Sequence, residues 1–340
     1  MTAAVLSIAI PTFNRARYLE LTLDSLRRDL QTLGQGRVEV IVSDNASPDD
    51  TPMVVAKMIA AGLPVRSIRN ETNIGSDANI AQVFNAATAP YVLILGDDDI
   101  LMPGALASLL TILTDHSYGV VCLKPYGYEN DPIAERPDVG GMPQLYEDSG
   151  TFIAAIGAYV TLISACIINK GLLADVDARQ FCGGNLVQVH LVLEAALAAK
   201  RNLFVPDYPV ACKRNNSGGY DFSKVFVEEM GRILDSFSAR GLSRSSIQRF
   251  ERGMMMHYFP TYLLRQRRDR SGNLQSTYDR FHARFAGSPL FWLWLAPILR
   301  WPRPLAIAWG YATVAVGRST GGDFRRGLAF LRHRLKLRRR

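Results

Sequence analysis

Short apolar runs alternate with longer amphipathic stretches over the first third of the chain. Apolar runs of strand length occupy residues 5–11, 38–42 and 91–95, and residues 65–69 are a candidate for a further, shorter strand. Between them, apolar residues recur at helical spacing in residues 17–30, 54–61 and 79–87. Runs this short, bounded by turn residues, are typical of strands buried on both faces. The alternation predicts an α/β fold: a mostly parallel sheet with flanking helices.

The run Tyr91 to Leu95 continues into Gly96 and then into three consecutive carboxylates, Asp97, Asp98 and Asp99. Carboxyl ends of strands in open α/β sheets are where ligands bind. Adjacent carboxylates repel one another, and a divalent cation such as Mg²⁺ or Mn²⁺ relieves that repulsion. The alternative is an acidic turn that caps the helix expected to begin near Pro103. The position directly after a buried strand favours the metal.

Polar residues follow two other predicted strands at the same edge of the sheet. Thr12 to Asn14 follow the first strand, and Asp44 and Asn45 follow the second. A single Asp after a strand is most often a helix cap, but three polar strand ends converging on one crevice indicate a nucleotide site. In that site Asp44 is placed to accept hydrogen bonds from a base or ribose.

Four ordered motifs carry a family resemblance: residues 7–15, 41–47, 73–75 and 95–99. They resemble the motifs of family 2 glycosyltransferases with the GT-A fold, and the resemblance covers roughly residues 5–110. It implies transfer of a sugar from a nucleotide-diphosphate donor to a hydroxyl, usually with inversion, and a divalent cation held by Asp98 and Asp99. The nucleotide-sugar contacts that it implies are Pro11, Thr12, Phe13, Asn14, Asp44, Asn45, Gly75, Asn79, Asp97 and Asp98.

The general base is the point at which the sequence departs from the family pattern. Relatives usually place an acidic pair on a helix after a Gly-containing loop, but residues 181–194 contain no Glu-Asp pair. His190, with Glu194 one turn later on the same helical face, is the nearest substitute. The alternative is a hydrogen-bonded histidine that shapes the acceptor pocket. Similarly, Arg214 in the basic loop 213–217 is either a contact to the donor diphosphate or part of a solvated turn.

Composition is that of a globular protein, with 48% hydrophobic and 21% charged residues. The net charge of +8 conceals an asymmetry: residues 1–212 carry 14 Lys/Arg against 23 Asp/Glu (−9), and residues 213–340 carry 25 against 8 (+17). Such a basic region suits an anionic partner. Four cysteines without paired spacing indicate neither zinc nor disulfides. The amino terminus has no basic stretch before its apolar run, so a cytoplasmic location is expected.

We expect a glycosyltransferase domain at residues 1–217 and a helical, basic, membrane-associating region at residues 218–340. Two apolar runs, residues 289–299 and 305–316, are separated by Arg300 and prolines, and each is too short to span about 30 Å of hydrocarbon. Their tryptophans and the polybasic tail (Arg325, Arg326 and residues 332–340) favour a monotopic segment on an anionic membrane surface. The alternative is a buried helical hairpin.

The acceptor that the resemblance implies is a lipid-linked glycan at the inner face of a bacterial membrane. Nucleic acid is not expected as a partner, because no basic face with interleaved stacking aromatics is present. Two other functions stay open at this point. One is a non-catalytic scaffold that binds sugar nucleotides, and the other is a nucleotidyltransferase, although residues 11–17 lack the glycine-rich phosphate loop of that class.

Overall fold

The computed structural model describes residues 4–33, 36–115, 117–138, 140–214 and 219–320. The chain divides into two compact units, Met1–Gly218 and Gly219–Arg340.

The first unit is built on a nine-stranded mixed sheet. Its strand order is β3-β2-β1-β4-β8-β6-β9-β5, with β7 paired to β9. The strands are β1 (Leu6–Thr12), β2 (Val38–Asp44), β3 (Val65–Arg69), β4 (Tyr91–Ile94), β5 (Ile100–Leu101), β6 (Val120–Tyr128), β7 (Gln144–Tyr146), β8 (Cys166–Asn169) and β9 (Asn202–Lys213).

Six α-helices belong to the first unit. They are α1 (Ala16–Leu33), α2 (Thr51–Ala60), α3 (Ser76–Ala86), α4 (Ala105–Asp115), α5 (Ser149–Ile156) and α6 (Val187–Ala198). Short 3-10 helices between α5 and α6 cover Gly157–Thr161, Ile163–Ala165, Lys170–Leu172 and Ala178–Phe181.

The predicted α/β architecture is confirmed. Strands β1, β2, β3 and β4 are mutually parallel and alternate with α1, α2 and α3 along the chain. The other side of the sheet was not predicted: β8 runs antiparallel to β4 and β6, and β5 and β7 run antiparallel to β9. Helices α4, α5 and α6 also lie between these later strands, but β5 and β7 are only two and three residues long and four 3-10 helices interrupt the segment between α5 and α6. Strands this short give little periodic signal in the sequence.

The central strands are buried on both faces, which explains their continuous apolar runs. Leu6, Ile8 and Ile10 in β1 pack into one core cluster, and the intervening Ala9 is equally buried. In β4 all four residues are buried. Burial on both faces favours apolar residues at every position rather than at alternate ones.

The register of the parallel strands brings their polar ends to one edge. Thr12 pairs with Asp44 at the ends of β1 and β2, and the backbone N–H of Asn45 donates to Thr12 O at 3.0 Å. On the other side of β1, Ala9 pairs with Ile94, so the chain leaves β4 beside the end of β1. The edge formed by the ends of β1, β2 and β4 is hereafter the carboxyl edge.

The second unit is helical in its described part, as predicted. Its α-helices are α7 (Met230–Ser238), α8 (Arg244–Gly253), α9 (Phe259–Asp269), α10 (Leu274–Phe285), α11 (Ala296–Arg300) and α12 (Arg303–Thr320). Three π-helical turns, Lys224–Glu229, Met254–Tyr258 and Phe291–Leu295, precede α7, α9 and α11. Phe259 lies at the centre of an aromatic core, with ring centroids of Phe281 and Phe285 at 5.0 and 6.0 Å.

The two apolar runs of the second unit each have a buried and an exposed face. Phe291, Leu295 and Ile298 are fully buried. Along α12 a stripe of mostly small residues faces inward, where a Cβ on Gly310 would meet the Leu264 side chain at 3.0 Å. A second set points outward and is 44% to 70% exposed: Trp292, Leu293, Trp301, Leu305, Tyr311 and Val316. The runs therefore pack internally on one side and present an apolar surface on the other.

Within the described chain, every helix is too short or too polar to cross a bilayer. The polybasic tail predicted to bind anionic lipid lies at residues 321–340, outside the described residues.

Candidate functional site

The acidic segment Asp97 to Asp99 is fixed to the fold through its backbone. Thr22 of α1 donates its hydroxyl to the carbonyls of Asp97 and Asp99, at 2.9 and 3.0 Å. The N–H of Gly96 donates to the Ser164 hydroxyl at 2.8 Å. These bonds satisfy polar groups that would otherwise be buried without partners, and they hold the carboxylates at the carboxyl edge.

Asp99 is a buried carboxylate whose two oxygens both have hydrogen-bond partners. Its Oδ2 accepts a hydrogen bond from the Ser164 hydroxyl, and its Oδ1 accepts one from the backbone N–H of Lys213 at 3.2 Å. Burial is the largest cause that raises the pKa of Asp99 to about 7, and the charge of Asp98 raises it further. The two hydrogen bonds act in the opposite direction, because they stabilise the charged form.

Asp97 faces the end of β1. The Thr12 hydroxyl donates to its Oδ2 at 2.7 Å, and Arg15 lies 3.4 Å from its Oδ1. Burial raises the pKa of Asp97 to about 6, although Thr12 and the Arg15 charge both lower it. The structure thus brings together Thr12 and Asp97, two residues predicted from separate strand ends.

Asp98 lies between a guanidinium and its acidic neighbour. Its Oδ2 is 3.0 Å from Arg15 Nη1. Its Oδ1 turns towards Gly96: a Cβ placed on that glycine would lie 3.2 Å from Asp98 Oδ1 and 3.0 Å from Asp99 Oδ2. A larger side chain would be crowded there, and carboxylate oxygens of two different residues converge on the space above the Gly96 Cα.

This convergence fits the divalent cation that the sequence predicts. Hard cations prefer carboxylate oxygens, and Mg²⁺ is usually held by one or two carboxylates together with substrate phosphates. Among the residues described, no three His, Cys, Asp or Glu side chains form a group suited to hold a metal. Asp98 and Asp99 therefore supply a partial ligand set, which the oxygens of a diphosphate would complete.

Asp44 presents a buried acceptor at the end of β2. Its Oδ1 accepts from the backbone N–H of Ser47 at 2.9 Å. Its Oδ2 has no hydrogen-bond partner among the described atoms and lies 3.4 Å from Arg69 Nε. A buried carboxylate oxygen without a hydrogen bond is costly, so a ligand N–H or O–H would find a strong acceptor there.

Four predicted nucleotide contacts lie at the end of β1 or directly after it. Pro11 is half-buried, Thr12 is buried and Phe13 is 40% exposed, so the Phe13 ring is available for stacking. Asn14 adopts a left-handed φ of 56°, and its N–H donates to the Ser47 hydroxyl at 2.8 Å. The left-handed residue turns the chain from β1 into α1.

Three further predicted contacts hold the loop between β3 and α3. Asn45 donates to Asn73 Oδ1 at 2.8 Å and accepts from the N–H of Ile74 at 2.9 Å. Asn79 is buried. Its Oδ1 accepts a hydrogen bond from the Ser43 hydroxyl, and its Nδ2 donates one to the Ser43 carbonyl. Gly75, with φ 88°, is the residue before α3. In the structure Asn45 and Asn79 position the carboxyl edge, and direct contact of either with a nucleotide stays a prediction.

His190 and Glu194 both lie on α6, one turn apart as expected. The His190 ring stacks on Phe181, with centroids 4.4 Å apart and planes 5° apart. Gln188, two positions earlier and so on the opposite face of the helix, donates to Thr161 O at 2.8 Å, near the Ser164 that contacts Asp99. The assignment of His190 or Glu194 as base stays a prediction.

Arg214 lies directly after β9. Its N–H donates to Tyr128 O at 2.9 Å, and its guanidinium is 3.8 Å from Glu135. A Cβ on Gly127 would meet its Nε at 2.8 Å, so the side chain lies flat against that glycine. The other residues of the predicted basic loop, 215–217, fall outside the described residues. A phosphate contact by Arg214 stays a prediction.

Sequence reasoning missed three residues of this site: Arg15, Arg69 and Ser164. Arg15 lies in the first motif and Arg69 lies at the end of a predicted strand. The sequence therefore indicated where both residues are, but not which residues they contact. Ser164 lies in a 3-10 turn with no motif around it, and only the pairing of β8 with β4 brings it to Asp99.

The raised pKa of Asp99 predicts how stability responds to pH. The pKa of Asp in an unfolded chain is about 4, whereas burial raises the pKa of folded Asp99 to about 7. Between these values the unfolded chain has lost the proton and the folded chain keeps it, so raising the pH lowers the free energy of unfolding. Asp99→Asn removes this titration. In the presence of chelator, the Tm of Asp99→Asn minus the Tm of wild type should increase as the pH is raised from about 5 to about 8.

Asp175→Asn is the matched control, since Asp175 is an exposed carboxylate of the same unit. Its Tm difference from wild type should stay constant over the same pH range. A constant difference for Asp99→Asn as well would show that Asp99 is ionised in the folded protein throughout.

Comparisons with known proteins agree with the fold and the motifs. The family model "Glycosyl transferase family 2" matches residues 7–173. The chain is 34% identical over 119 residues to the abequosyltransferase RfbV of Salmonella typhimurium, covering 35% of each chain. It is 35% identical over 107 residues to the GalNAc(5)-diNAcBac-PP-undecaprenol beta-1,3-glucosyltransferase of Campylobacter jejuni, covering 31% of this chain and 33% of that one. The matches thus span about a third of these relatives.

Solved structures share the fold over nearly the whole chain. S. aureus TarS 1-349 in complex with UDP-GlcNAc superimposes with a TM-score of 0.61 at 19% identity, covering 93% of this chain and 92% of that one. The mannosyltransferase PcManGT of Pyrobaculum calidifontis, in complex with GDP-Man and Mn²⁺, gives 0.53 at 15% identity, covering 94% and 88%. With the family match at residues 7–173, the ordered motifs and the GT-A fold, this part of the chain is a family 2 glycosyltransferase domain.

Proposed function

We propose that this chain is a metal-dependent glycosyltransferase that moves a sugar from a nucleotide-diphosphate donor to a hydroxyl of a glycan acceptor. The observation that carries the proposal is the convergence of Asp98 and Asp99 above Gly96 after β4, with β1 between them and the buried acceptor of Asp44 at the end of β2. A nucleoside diphosphate needs an acceptor for its base or ribose and a cation for its phosphates. This edge supplies both.

The donor is bound along the carboxyl edge. Asp44 Oδ2 accepts an N–H of the base, and the exposed ring of Phe13 packs against the base. Asp97, one strand further along the edge, lies towards the ribose, and Asp98 and Asp99 lie at the diphosphate. Arg69, beside Asp44, balances the charge of that carboxylate when the base is absent. Arg214 is proposed as a further phosphate contact through its planar fork of donors.

Asp98 and Asp99 are the residues that would hold Mg²⁺ or Mn²⁺. When bound, the cation neutralises the negative charge that develops on the departing nucleoside diphosphate. The protein's own contribution is to place two carboxylates where they converge and to keep them rigid through Thr22, Ser164 and the Lys213 N–H. An inverting displacement additionally needs a base that takes the proton of the acceptor hydroxyl as it attacks.

His190 is the proposed base, with Glu194 one helical turn away as its orienting partner or as the base in its place. Both lie in the first unit, as do all other proposed site residues. We accordingly propose that residues 1–217 carry out transfer and that residues 218–340 serve membrane association.

The proposed acceptor is a lipid-linked glycan. The name of the Campylobacter jejuni relative specifies an undecaprenyl-diphosphate-linked acceptor, and the second unit of this chain carries a surface suited to lipid. We propose that the exposed Trp292, Leu293, Trp301, Leu305, Tyr311 and Val316 contribute to this surface. Exposed apolar patches of this kind mark interaction sites, and interfacial tryptophan and tyrosine are typical of membrane surfaces.

An anionic bilayer is the occupant that the surrounding charge favours. The helix α12 ends at Thr320, and the 20 residues that follow contain eight Arg or Lys and one Asp. Basic residues near an anionic surface contribute about 1 kcal/mol each. We therefore place the protein at the inner face of the cell membrane as a peripheral, monotopic enzyme.

A non-catalytic scaffold that binds sugar nucleotides is the second candidate. The observation that favours it is the absence of the usual acidic pair from residues 181–194. Such a scaffold would bind donor and metal as the enzyme does, but would release no nucleoside diphosphate when acceptor is added.

Asp98→Asn tests the metal-dependent donor site. Wild-type Tm should increase when Mn²⁺ and a nucleoside diphosphate are added together, because ligands that bind only the native state stabilise it. Asp98→Asn should lose most of that increase, since one charged ligand of the cation is gone. The measurement is a thermal-shift screen of UDP, GDP, CDP and dTDP with Mn²⁺ or chelator. Asp175→Asn should behave as wild type. An equal shift in chelator and in Mn²⁺ for the wild type would remove metal dependence.

His190→Ala tests the proposed base. Loss of a general base should lower the rate of transfer about 10²- to 10⁴-fold while donor affinity stays nearly constant. The rate is measured as release of nucleoside diphosphate in the presence of acceptor. Phe181→Leu is the control, because it removes the stacking partner of His190 and leaves the imidazole in place. Strong loss in Glu194→Gln with a mild effect in His190→Ala would move the role to the carboxylate. No loss in either would show that the base is another residue, whereas no release of nucleoside diphosphate by the wild type would favour the scaffold.

Leu293→Glu combined with Leu305→Glu tests the membrane surface. Both side chains are exposed, so the changes should leave the fold intact and reduce flotation with anionic vesicles. Leu21→Glu on α1 is the control, because Leu21 is an exposed leucine of the first unit.

Removal of residues 321–340 should abolish the salt dependence of binding. Equal flotation of all four proteins would exclude this surface. Deletion from Pro289 onwards is unsuitable, because it removes the buried Phe291 and Leu295.

A further inference from the structure

Arg15 occupies a position in the acidic segment that the functions assigned above do not use. It is the residue before α1, and its Nη1 lies 3.0 Å from Asp98 Oδ2 and 3.4 Å from Asp97 Oδ1. Its side chain is 29% exposed. The guanidinium therefore contacts both carboxylates, and part of the Arg15 side chain is exposed to solvent.

The two oxygens of Asp98 have different neighbours. Oδ2 contacts Arg15, and Oδ1 converges with Asp99 Oδ2 above Gly96. Arg15 and a divalent cation would thus share one carboxylate, each on its own oxygen. Two cations that share a ligand repel each other, and partial burial strengthens that repulsion because the local dielectric constant is lower than that of water.

If Arg15 were removed and no other cation took its place, the negative charge of the acidic segment would be uncompensated. The charge of Arg15 lowers the pKa of Asp97, whereas Asp98 raises the pKa of both Asp97 and Asp99. The guanidinium is therefore a resident cation that partly neutralises the segment in the absence of ligand. The diphosphate of a donor brings new negative charge to the same edge, and a planar guanidinium pairs readily with phosphate oxygens.

We propose that Arg15 is an exchangeable counter-ion that couples metal binding to donor binding. Without donor, Arg15 pairs with Asp97 and Asp98 and weakens the affinity of Asp98 and Asp99 for a divalent cation. With donor, Arg15 pairs with the diphosphate, Asp98 is released to the cation, and metal and donor bind cooperatively. This inference rests on the proposed function, because it takes a nucleoside diphosphate as the ligand.

The first experiment measures Mn²⁺ affinity of the nucleotide-free protein from the electron paramagnetic resonance signal of free Mn²⁺. Arg15→Gln should bind Mn²⁺ about five- to tenfold more tightly than wild type, an effect at the lower end of coupling between interacting sites. Arg15→Lys, which keeps the charge, should remain close to wild type. Arg17→Gln removes the same charge from an exposed position two residues away and should also leave the affinity unchanged.

The second experiment measures the coupling itself. The Mn²⁺ dissociation constant is determined with and without whichever of UDP, GDP, CDP or dTDP stabilises the wild type most. Their ratio should be large for wild type and for Arg17→Gln, and about five- to tenfold smaller for Arg15→Gln. By reciprocity, Mn²⁺ should improve nucleotide binding less in Arg15→Gln than in wild type.

The outcomes separate this inference from the proposed function. Unchanged or weaker Mn²⁺ binding by nucleotide-free Arg15→Gln overturns the counter-ion role, even if the protein binds donor as proposed. An equal gain in Arg17→Gln shows that the effect is one of net charge and overturns it as well. A third outcome is that Arg15→Gln binds Mn²⁺ more tightly but no variant binds a nucleoside diphosphate. This result would support the suppression of metal binding by Arg15. It would overturn both the coupling to donor and the proposed donor site.

Discussion

The crowding of three carboxylates at the end of a buried strand is the constraint on which the site depends. Burial penalises each charge, and Asp98 adds repulsion to both neighbours, so Asp97 and Asp99 have raised pKa values. The fold offsets this cost with hydroxyl and amide donors from Thr12, Ser164 and Lys213, which come from β1, a 3-10 turn and β9. A divalent cation, the ligand proposed above for Asp98 and Asp99, would offset the remaining repulsion.

Polar residues at the carboxyl edge divide into those whose hydrogen bonds hold the edge and one whose buried oxygen lacks a hydrogen bond. Asn45 and Asn79 have their amides engaged with the loop after β3 and with Ser43. Asp44 Oδ2, by contrast, has no hydrogen bond among the described atoms. The engaged amides fix the strand ends, and this rigidity keeps the Asp44 acceptor in one place. Pre-organised acceptors bind a ligand without first paying for reorganisation.

The positive charge of the second unit has two distinct uses. Arg280 pairs with Asp221 and Glu228, and Arg284 pairs with Asp235 and Glu251, so these arginines stabilise contacts among the helices. Paired arginines add little to an external field, because their charge is compensated locally. For the membrane association proposed above, the charge would come mainly from other residues, and the polybasic sequence after Thr320 is its densest source.

The sequence alone determined the parallel half of the sheet and the nature of the site. Continuous apolar runs specify strands buried on both faces, and polar residues after those runs lie at one edge because parallel strands end together. The predicted strand at residues 65–69 matches β3 at both ends. Thr12, Asp44 and Asp97 to Asp99 were identified in the same way, from their positions after predicted strands.

Only the tertiary structure decided which partner each of these residues has. Ser164 and Lys213 contact Asp99 from 65 and 114 residues away, and Arg15 contacts Asp98 from 83, because strand pairing and loop closure bring distant segments together. Local sequence carries no signal for such contacts. The same holds for the apolar runs of the second unit: their composition predicted contact with an apolar environment, but packing decided which face meets protein and which remains exposed.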